Sequence, residues 1–373
     1  MKKAIKITLI SLLFIILACL LFVGCYFGYL EVSYYRIGDK EMEINNNQTN
    51  LLELDKEYSV VTYNIGFGAY DRDFSFFMDE GIMLDGTKTK GKYGKGVSKE
   101  NTLKNTNGAI DILSKIDADF MMLEEVDVKA SRSYDVNQKQ MILDKFSSYS
   151  YTFANNFHSP FLPYPITDMH GYVEAGLLTL SRFKMDYSYR YSLPITDNMI
   201  SKLFDLDRCI NLVQYPIKDS EKKLTMITVH LSAYDEGGVY RAKQLELLFN
   251  LIESEYIAGN YVIVGGDFNH DLPGNSEKLF SGKQQTPEWL QIFPKELPTN
   301  FSVQCDELKP TCRCSDLKYN GNEDVLFQAI VDGFIVSDNI VVSSVETITM
   351  LNDEDVNYLY SDHNAVVLKF KTS

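Results

Sequence analysis

An acid and a carboxamide two residues apart close one apolar run, Val262-Ile263-Val264-Gly265-Gly266-Asp267-Phe268-Asn269. If that run is a strand, alternation puts Asp267 and Asn269 on one face at its C-terminal end. There the carboxylate can take a proton from water while the amide holds that water or a developing oxyanion. The same string also suits a turn built on Asx hydrogen bonds, so its surroundings have to decide. Asp332 sits in a second apolar run, Val331-Asp332-Gly333-Phe334, and Ser361-Asp362-His363 leads into a closing one, Ala365–Phe370. A carboxylate bonded to histidine raises the fraction of imidazolium and fixes its tautomer, as binding an anionic phosphate requires. Upstream, Tyr63-Asn64-Ile65 and Leu123-Glu124-Glu125-Val126 add an amide and a carboxylate. Of the adjacent acids, period-two alternation sends one inward. Hard oxygen donors of this kind suit Mg²⁺, which keeps several waters and takes few protein groups.

These residues need strands to carry them. Short β-rich runs are predicted at Tyr58–Thr62, Phe120–Leu123, Leu177–Leu180, Leu224–Val229, Tyr261–Val264, Ile330–Val331 and Ala365–Phe370, each beside a polar candidate. Helix-compatible stretches at Asn105–Ile116, Asn137–Phe146 and Val239–Tyr256 lie between them. Strands interspersed with helices predict an α/β or α+β domain. The Gly-, Lys- and Asp-rich segment from Ala69 to Lys99 reads as a long loop, functional or disordered, whose Phe74–Phe77 island could meet lipid. His158 and His170, near Tyr164 and Tyr172, lie in a Pro- and aromatic-rich loop that is either packed or part of a pocket, and His270 follows the Asp-Phe-Asn triad.

Taken in order, Thr62-Tyr63-Asn64, Glu125-Val126, Leu180-Ser181-Arg182-Phe183, His230-Leu231, Gly266-Asp267-Phe268-Asn269, Asp332-Gly333-Phe334 and Ser361-Asp362-His363 resemble the endonuclease/exonuclease/phosphatase (DNase I-like) superfamily over roughly residues 58–371. The resemblance implies a four-layer sandwich of two mixed β-sheets flanked by helices, with the site at one edge. It implies Mg²⁺, with Mn²⁺ as the alternative, held by Asn64 and Glu125 with Asp362 alongside. The family usually has Gln-Glu where this chain has Glu124-Glu125, which selects Glu125. Asp267 then resembles the group that orients or deprotonates water, and Asn269 a transition-state amide. His363, oriented by Asp332, and His230 resemble phosphate-contacting groups. Arg208 supplies positive charge near the phosphate or forms a surface ion pair. The implied reaction is metal-dependent hydrolysis of a phosphoester by a phosphodiesterase or phosphatase. An extracellular nuclease is the alternative, and a binding module without catalysis a further one.

The N-terminus sets the location. Lys2, Lys3 and Lys6 precede an uncharged run from Ile7 to Leu30. As a helix that run is long enough to cross a bilayer, and lysines on its N-terminal side favour a cytoplasmic N-terminus. The expected division is a cytoplasmic segment 1–6, a transmembrane anchor 7–30, a polar linker 31–57 and a catalytic domain 58–373 outside the cell. A cleaved signal peptide and a lipid-modified Cys25 are the competing readings. Removing the three lysines leaves 33 basic against 51 acidic side chains, about −18. A protein that grips duplex DNA non-specifically carries a basic footprint, which this one lacks. The substrate is therefore a phospholipid head group or a nucleic acid, with the former favoured, and no protein partner is implied. Lys-, Asn-, Ile- and Tyr-rich usage suggests an AT-rich bacterial source. Cys209, Cys305, Cys312 and Cys314 lie outside the apolar run, where a disulfide is permitted but its pairing is not legible.

Overall fold

A computed structural model describes residues 2–196, 207–233, 235–280 and 282–373. The main helices in chain order are α1 (Lys2–Ser33), α2 (Lys99–Ile116), α3 (Gln138–Lys145) and α4 (Val239–Ile257). The strands of the two large sheets begin with β1 (Lys40–Glu41), β2 (Glu57–Asn64), β3 (Phe120–Ala130), β4 (Ser150–Leu162), β5 (Gly171–Ser181), β6 (Tyr187–Ser192) and β7 (Cys209–Pro216). They continue with β8 (Lys223–His230), β9 (Tyr261–Asp267), β10 (Phe301–Gln304), β11 (Asp332–Ser337), β12 (Ile340–Thr347) and β13 (Val366–Thr372). A seven-stranded sheet runs β1-β6-β7-β8-β9-β11-β10, and a six-stranded sheet runs β12-β13-β2-β3-β5-β4. Each is mixed. The β8–β9 pair is parallel in the first and the β2–β3 pair in the second, among antiparallel neighbours.

Alternation along each strand builds four layers. Val60, Met122 and Leu368 face Met226, Ile263 and Phe334 across the space between the sheets. Their chain neighbours Val61 and Met121 point outward against Ala109, Ile110 and Leu113 of α2 and Ile142 of α3. On the far side, Val262 and Val264 meet Leu245, Leu248 and Ile252 of α4. Both faces of the central strands are thus dry, which is why these runs read as nearly continuous apolar stretches. Ser98 caps α2 by accepting the Asn101 N–H through its side chain, and Asn137 caps α3 by accepting that of Gln140.

Two sequence expectations need correction. The segment 31–57 is not a free linker. Lys40–Glu41 pair with β6, Asn45 bridges to Tyr151, and Leu52 lies fully buried between the sheets beside Ile217. Its polar composition hid a few anchoring contacts, the Asn47 side chain bonding the Met185 backbone among them. Nor do the phenylalanines of the 69–99 segment stand in solvent. Phe74, Phe76 and Phe77 are buried with Phe67, Ala69 and Tyr70 in a cluster of their own, and Tyr93 stacks on Phe74. Removing the Leu52 side chain opens a cavity that rigid sheets cannot collapse. Leu52→Ala is therefore expected to cost about 2–5 kcal/mol, read as a lower denaturant midpoint at an unchanged slope.

Candidate active site

The two parallel strand pairs end at the same edge of the sandwich, where their C-terminal residues come together. In the six-stranded sheet Asn64 closes β2 opposite Glu124 of β3. In the seven-stranded sheet His230 closes β8 opposite Asp267 of β9, and Asp332, the first residue of β11, flanks Asp267 on its other side. Gly266 makes the approach possible. Its φ is +147°, and a Cβ there would lie 1.9 Å from the Val229 carbonyl oxygen, so only glycine allows β9 to run on to Asp267. The adjacent acids part company at a break in register between Leu123 and Val126. Glu125 takes a left-handed φ of 55° and faces the pocket, while Glu124 stays fully buried and accepts from the Thr62 hydroxyl at 2.9 Å. Burial, then the nearby Asp332 charge, hold the Glu124 carboxyl well above the usual carboxylate range.

Asp267 is the hub. Its Oδ1 accepts the Asn269 backbone N–H at 2.8 Å, and its Oδ2 accepts the Asn64 side-chain amide at 3.1 Å. The same Oδ2 lies 3.4 Å from His230 Nε2 and 3.7 Å from His363 Nε2. Behind His363, Asp332 Oδ2 takes up Nδ1 at 2.8 Å, and the backbone of Asp332 is itself held by the Thr311 hydroxyl. Burial pushes the Asp267 carboxyl up to about 7 although His363 opposes it. Burial also draws the His363 imidazole down, but the Asp332 and Asp267 charges outweigh it and hold the ring well above its ordinary pKa. His230 goes the other way, well below its ordinary value, through burial and then the positive Arg208 and His363. The two rings beside Asp267 are thus pushed in opposite directions, His363 toward the charged form and His230 toward the neutral one.

A pocket of about 370 Å³ opens over this hub. Glu125, Arg208, His230, Asp267, Asn269, Asp362 and His363 line it, so it gathers all but two of the site residues proposed from sequence. The exceptions, Asn64 and Asp332, sit immediately behind. Asn64 also donates to Glu125 at 3.2 Å, tying that carboxylate to Asp267. Asp362 approaches from the chain leading to β13, with Ser315 donating to its Oδ2. Its carboxyl is raised by burial, and Glu125 adds to the rise. Two carboxylates with an amide beside them form a donor set of the kind that suits a hard divalent cation. Among the described residues, Asp267, Asp332 and His363 have ligand atoms within 4.8 Å of one another, a second place where a cation could be held. Within it Asp332 Oδ2 and His363 Nδ1 share a 2.8 Å hydrogen bond, which fixes the ring's orientation.

The Asn269 amide donates to the Leu231 carbonyl at 2.8 Å and so is aimed from below the pocket. Arg208 does not stand on the surface: it is buried, and donates to the His230 carbonyl at 3.2 Å. His170 lines the pocket while its Nδ1 bonds the Gly94 carbonyl. His270 is buried against the Phe268 carbonyl and His158 packs on Tyr35, so neither joins the pocket lining. Sequence reasoning missed Arg132, Arg313 and Trp289, which line the pocket from outside the matching motifs. Arg132 packs over the rings of Phe67 and Phe157 while paired with buried Asp127 at 2.7 Å. Cys312 and Cys314 also line the pocket, and all six cysteines are free thiols.

The family model described as Endonuclease/Exonuclease/phosphatase family matches residues 61–363, and the chain belongs to that family. The solved structures it resembles include D. rerio TDP2 complexed with a single-strand DNA product, at 16% identity and TM-score 0.50, covering 85% of this chain and 100% of that one. The human Nocturnin catalytic domain with bound sulfate is similar at 16% identity and TM-score 0.50, covering 89% and 97%. An endonuclease/exonuclease/phosphatase from Beutenbergia cavernae is similar at 14% and 0.50, covering 85% and 72%. No curated protein matches the sequence. The protein is a phosphoester hydrolase by family and fold.

Asp332→Asn keeps the hydrogen bond's shape and removes its charge. The His363 midpoint, followed by NMR, is expected to move down, and turnover at neutral pH to fall about 10²–10⁴-fold.

Proposed function

We propose that this chain hydrolyses phosphodiester or phosphomonoester bonds with a divalent cation, Mg²⁺ first and Mn²⁺ second, on the outer side of a membrane. The observation that carries the reading is Asp267, a buried carboxylate that accepts from Asn64 and the Asn269 backbone with the His230 and His363 rings 3.4 and 3.7 Å from its Oδ2. Asp267 takes the proton of an attacking water at Oδ2, while Asn269 and Asn64 keep the carboxylate from turning. His363, charged and braced by Asp332, binds a phosphoryl oxygen, and His230 donates a second hydrogen bond from Nε2. Arg208 adds a fixed positive charge at the same wall. Glu125 and Asp362 would hold the cation, with Asn64 beside them, its amide nitrogen donating to Glu125 and its oxygen accepting the Gly66 N–H. When bound, the ion supplies neutralisation of the charge that builds on the phosphoryl and leaving oxygens.

Location follows from α1. Within Lys3–Ser33 the most apolar 18-residue window has a mean hydropathy of 2.9 and is 0% buried, as a membrane span or a signal sequence would be. Packing of its C-terminal end on the domain, at Tyr26, Tyr29 and Leu30, favours an anchor that stays attached over one that is cleaved. Head groups of phospholipids and nucleic acid are both candidate substrates. The bound product in D. rerio TDP2 motivates the second, and the charge of −15 weighs against it.

The test is turnover of bis(p-nitrophenyl) phosphate, single-stranded DNA and a phospholipid panel, with Mg²⁺ and with EDTA. Chelation, Asp267→Ala and His363→Ala are each expected to lower the rate by about 10²-fold or more. A folded wild type inert on every substrate with every metal sinks the reading. Because Asp267 has to be ionised to act, kcat/KM is expected to climb as pH rises through about 7. A rate that falls across that interval excludes Asp267 as the base.

A further inference from the structure

The end of the apolar helix, a neutral aromatic loop and a run of lysines meet at one hairpin, whose inner side lines the pocket. At about 1.5 Å per residue, the helix from Ile7 to Tyr26 takes up a hydrocarbon layer of about 30 Å, which sets Tyr26 at its outer edge. Tyr26, Tyr29, Tyr34 and Tyr35 follow there, a residue type that collects at membrane–water interfaces. The Tyr26 hydroxyl donates to the Phe161 carbonyl at 2.9 Å, and the Phe161 N–H donates to the Tyr29 hydroxyl at 3.1 Å. Leu30 is buried, Tyr35 stacks on His158 at 4.1 Å between ring centroids, and Arg36 pairs with Asp207 at 2.6 Å. The helix end is thus clamped to β4, and Phe161 shares its depth.

Phe161 stands at the base of a hairpin tip, because Leu162 pairs with Gly171 and residues 163–170 form the turn. Tyr164, Ile166 and Met169 are exposed in that turn, Ile166 at 77%. Its one acid, Asp168, is taken up by the Gly94 N–H at 2.7 Å and by Lys95 at 3.8 Å. Those partners belong to the stretch from Gly86 to Lys99, which carries Lys88, Lys90, Lys92, Lys95 and Lys99 and no acid in a strongly acidic chain. On its inner side the same hairpin walls the pocket through Leu162 and His170, and Tyr164 meets the pocket residue Phe77 at 5.5 Å. Exposed apolar side chains beside lysines are the two-part signal that holds a protein surface to an anionic leaflet.

We propose that this rim seats on the bilayer that α1 crosses, so that the pocket receives the phosphoester head groups of that bilayer's own lipids. The proposal rests on the hydrolase reading above and adds its substrate class. It is tested on the full chain reconstituted in vesicles of phosphatidylcholine and phosphatidylglycerol, with two readouts. In Ile166→Trp, the emission gained over wild type is expected to be quenched by lipids brominated on their acyl chains, whether or not the protein is active. Ile166→Asp is expected to lower head-group release on the order of tenfold while leaving hydrolysis of soluble bis(p-nitrophenyl) phosphate unchanged. Absent quenching, or equal losses on both substrates, overturns the seating. A wild type that cleaves the soluble diester but no lipid of the bilayer overturns the substrate class. One that cleaves neither fails the hydrolase reading instead, and the quenching alone then decides the seating.

Discussion

A carboxylate can be buried only where donors surround it, and Asp267 draws its donors from three directions. Asn64 comes from one sheet, the Asn269 backbone from the loop after β9, and the two imidazoles from strands and turns on either side. The sandwich supplies this crowding because each sheet contains a parallel pair whose C-terminal ends arrive at one edge. If the sheets slid by one residue, the alternation that gives a dry interior would turn the site residues into the wrong layer. Packing of the hydrophobic layers and assembly of the site are therefore the same constraint.

The apolar runs of β2, β8 and β9 were legible because both of their faces are buried, which leaves long uninterrupted patterns. The ordered motifs at their ends were legible for the same reason, since each polar residue interrupts such a run. Glu124 and Glu125 show where that logic stops. Alternation offers one inward position, yet a break in register turns Glu125 into the pocket and leaves Glu124 in the core, and nothing in the local composition announces it. Arg132, Arg313 and Trp289 were illegible for another reason: they reach the pocket from a three-residue 3-10 turn, a two-residue strand and a turn, each too short for a period to relate a residue to its surroundings. Asn64 was legible as a site residue, but its position between two carboxylates needed three dimensions to be seen.

Charge is distributed unevenly. The chain is acidic as a whole, yet Arg132, Arg208 and Arg313 all face a single pocket. Arg132 is matched to Asp127, and Arg313 donates to the Tyr70, Asp71 and Cys314 carbonyls. In a negative surrounding such a pocket gives an anionic group one place to settle, and low dielectric makes each guanidinium count for more there than on the surface.

The two residues of β1 carry a consequence for the solution behaviour of the domain. By pairing with β6, Lys40 and Glu41 occupy the outermost row of backbone donors and acceptors of the seven-stranded sheet. Next to that row Tyr187, Tyr189 and Tyr191 stack in series on one face of β6. An uncovered strand of this composition is a template onto which another chain can add, and a short charged cover is how sheets prevent it. The stretch between α1 and the domain thus also guards this sheet edge against the addition of a strand from another copy.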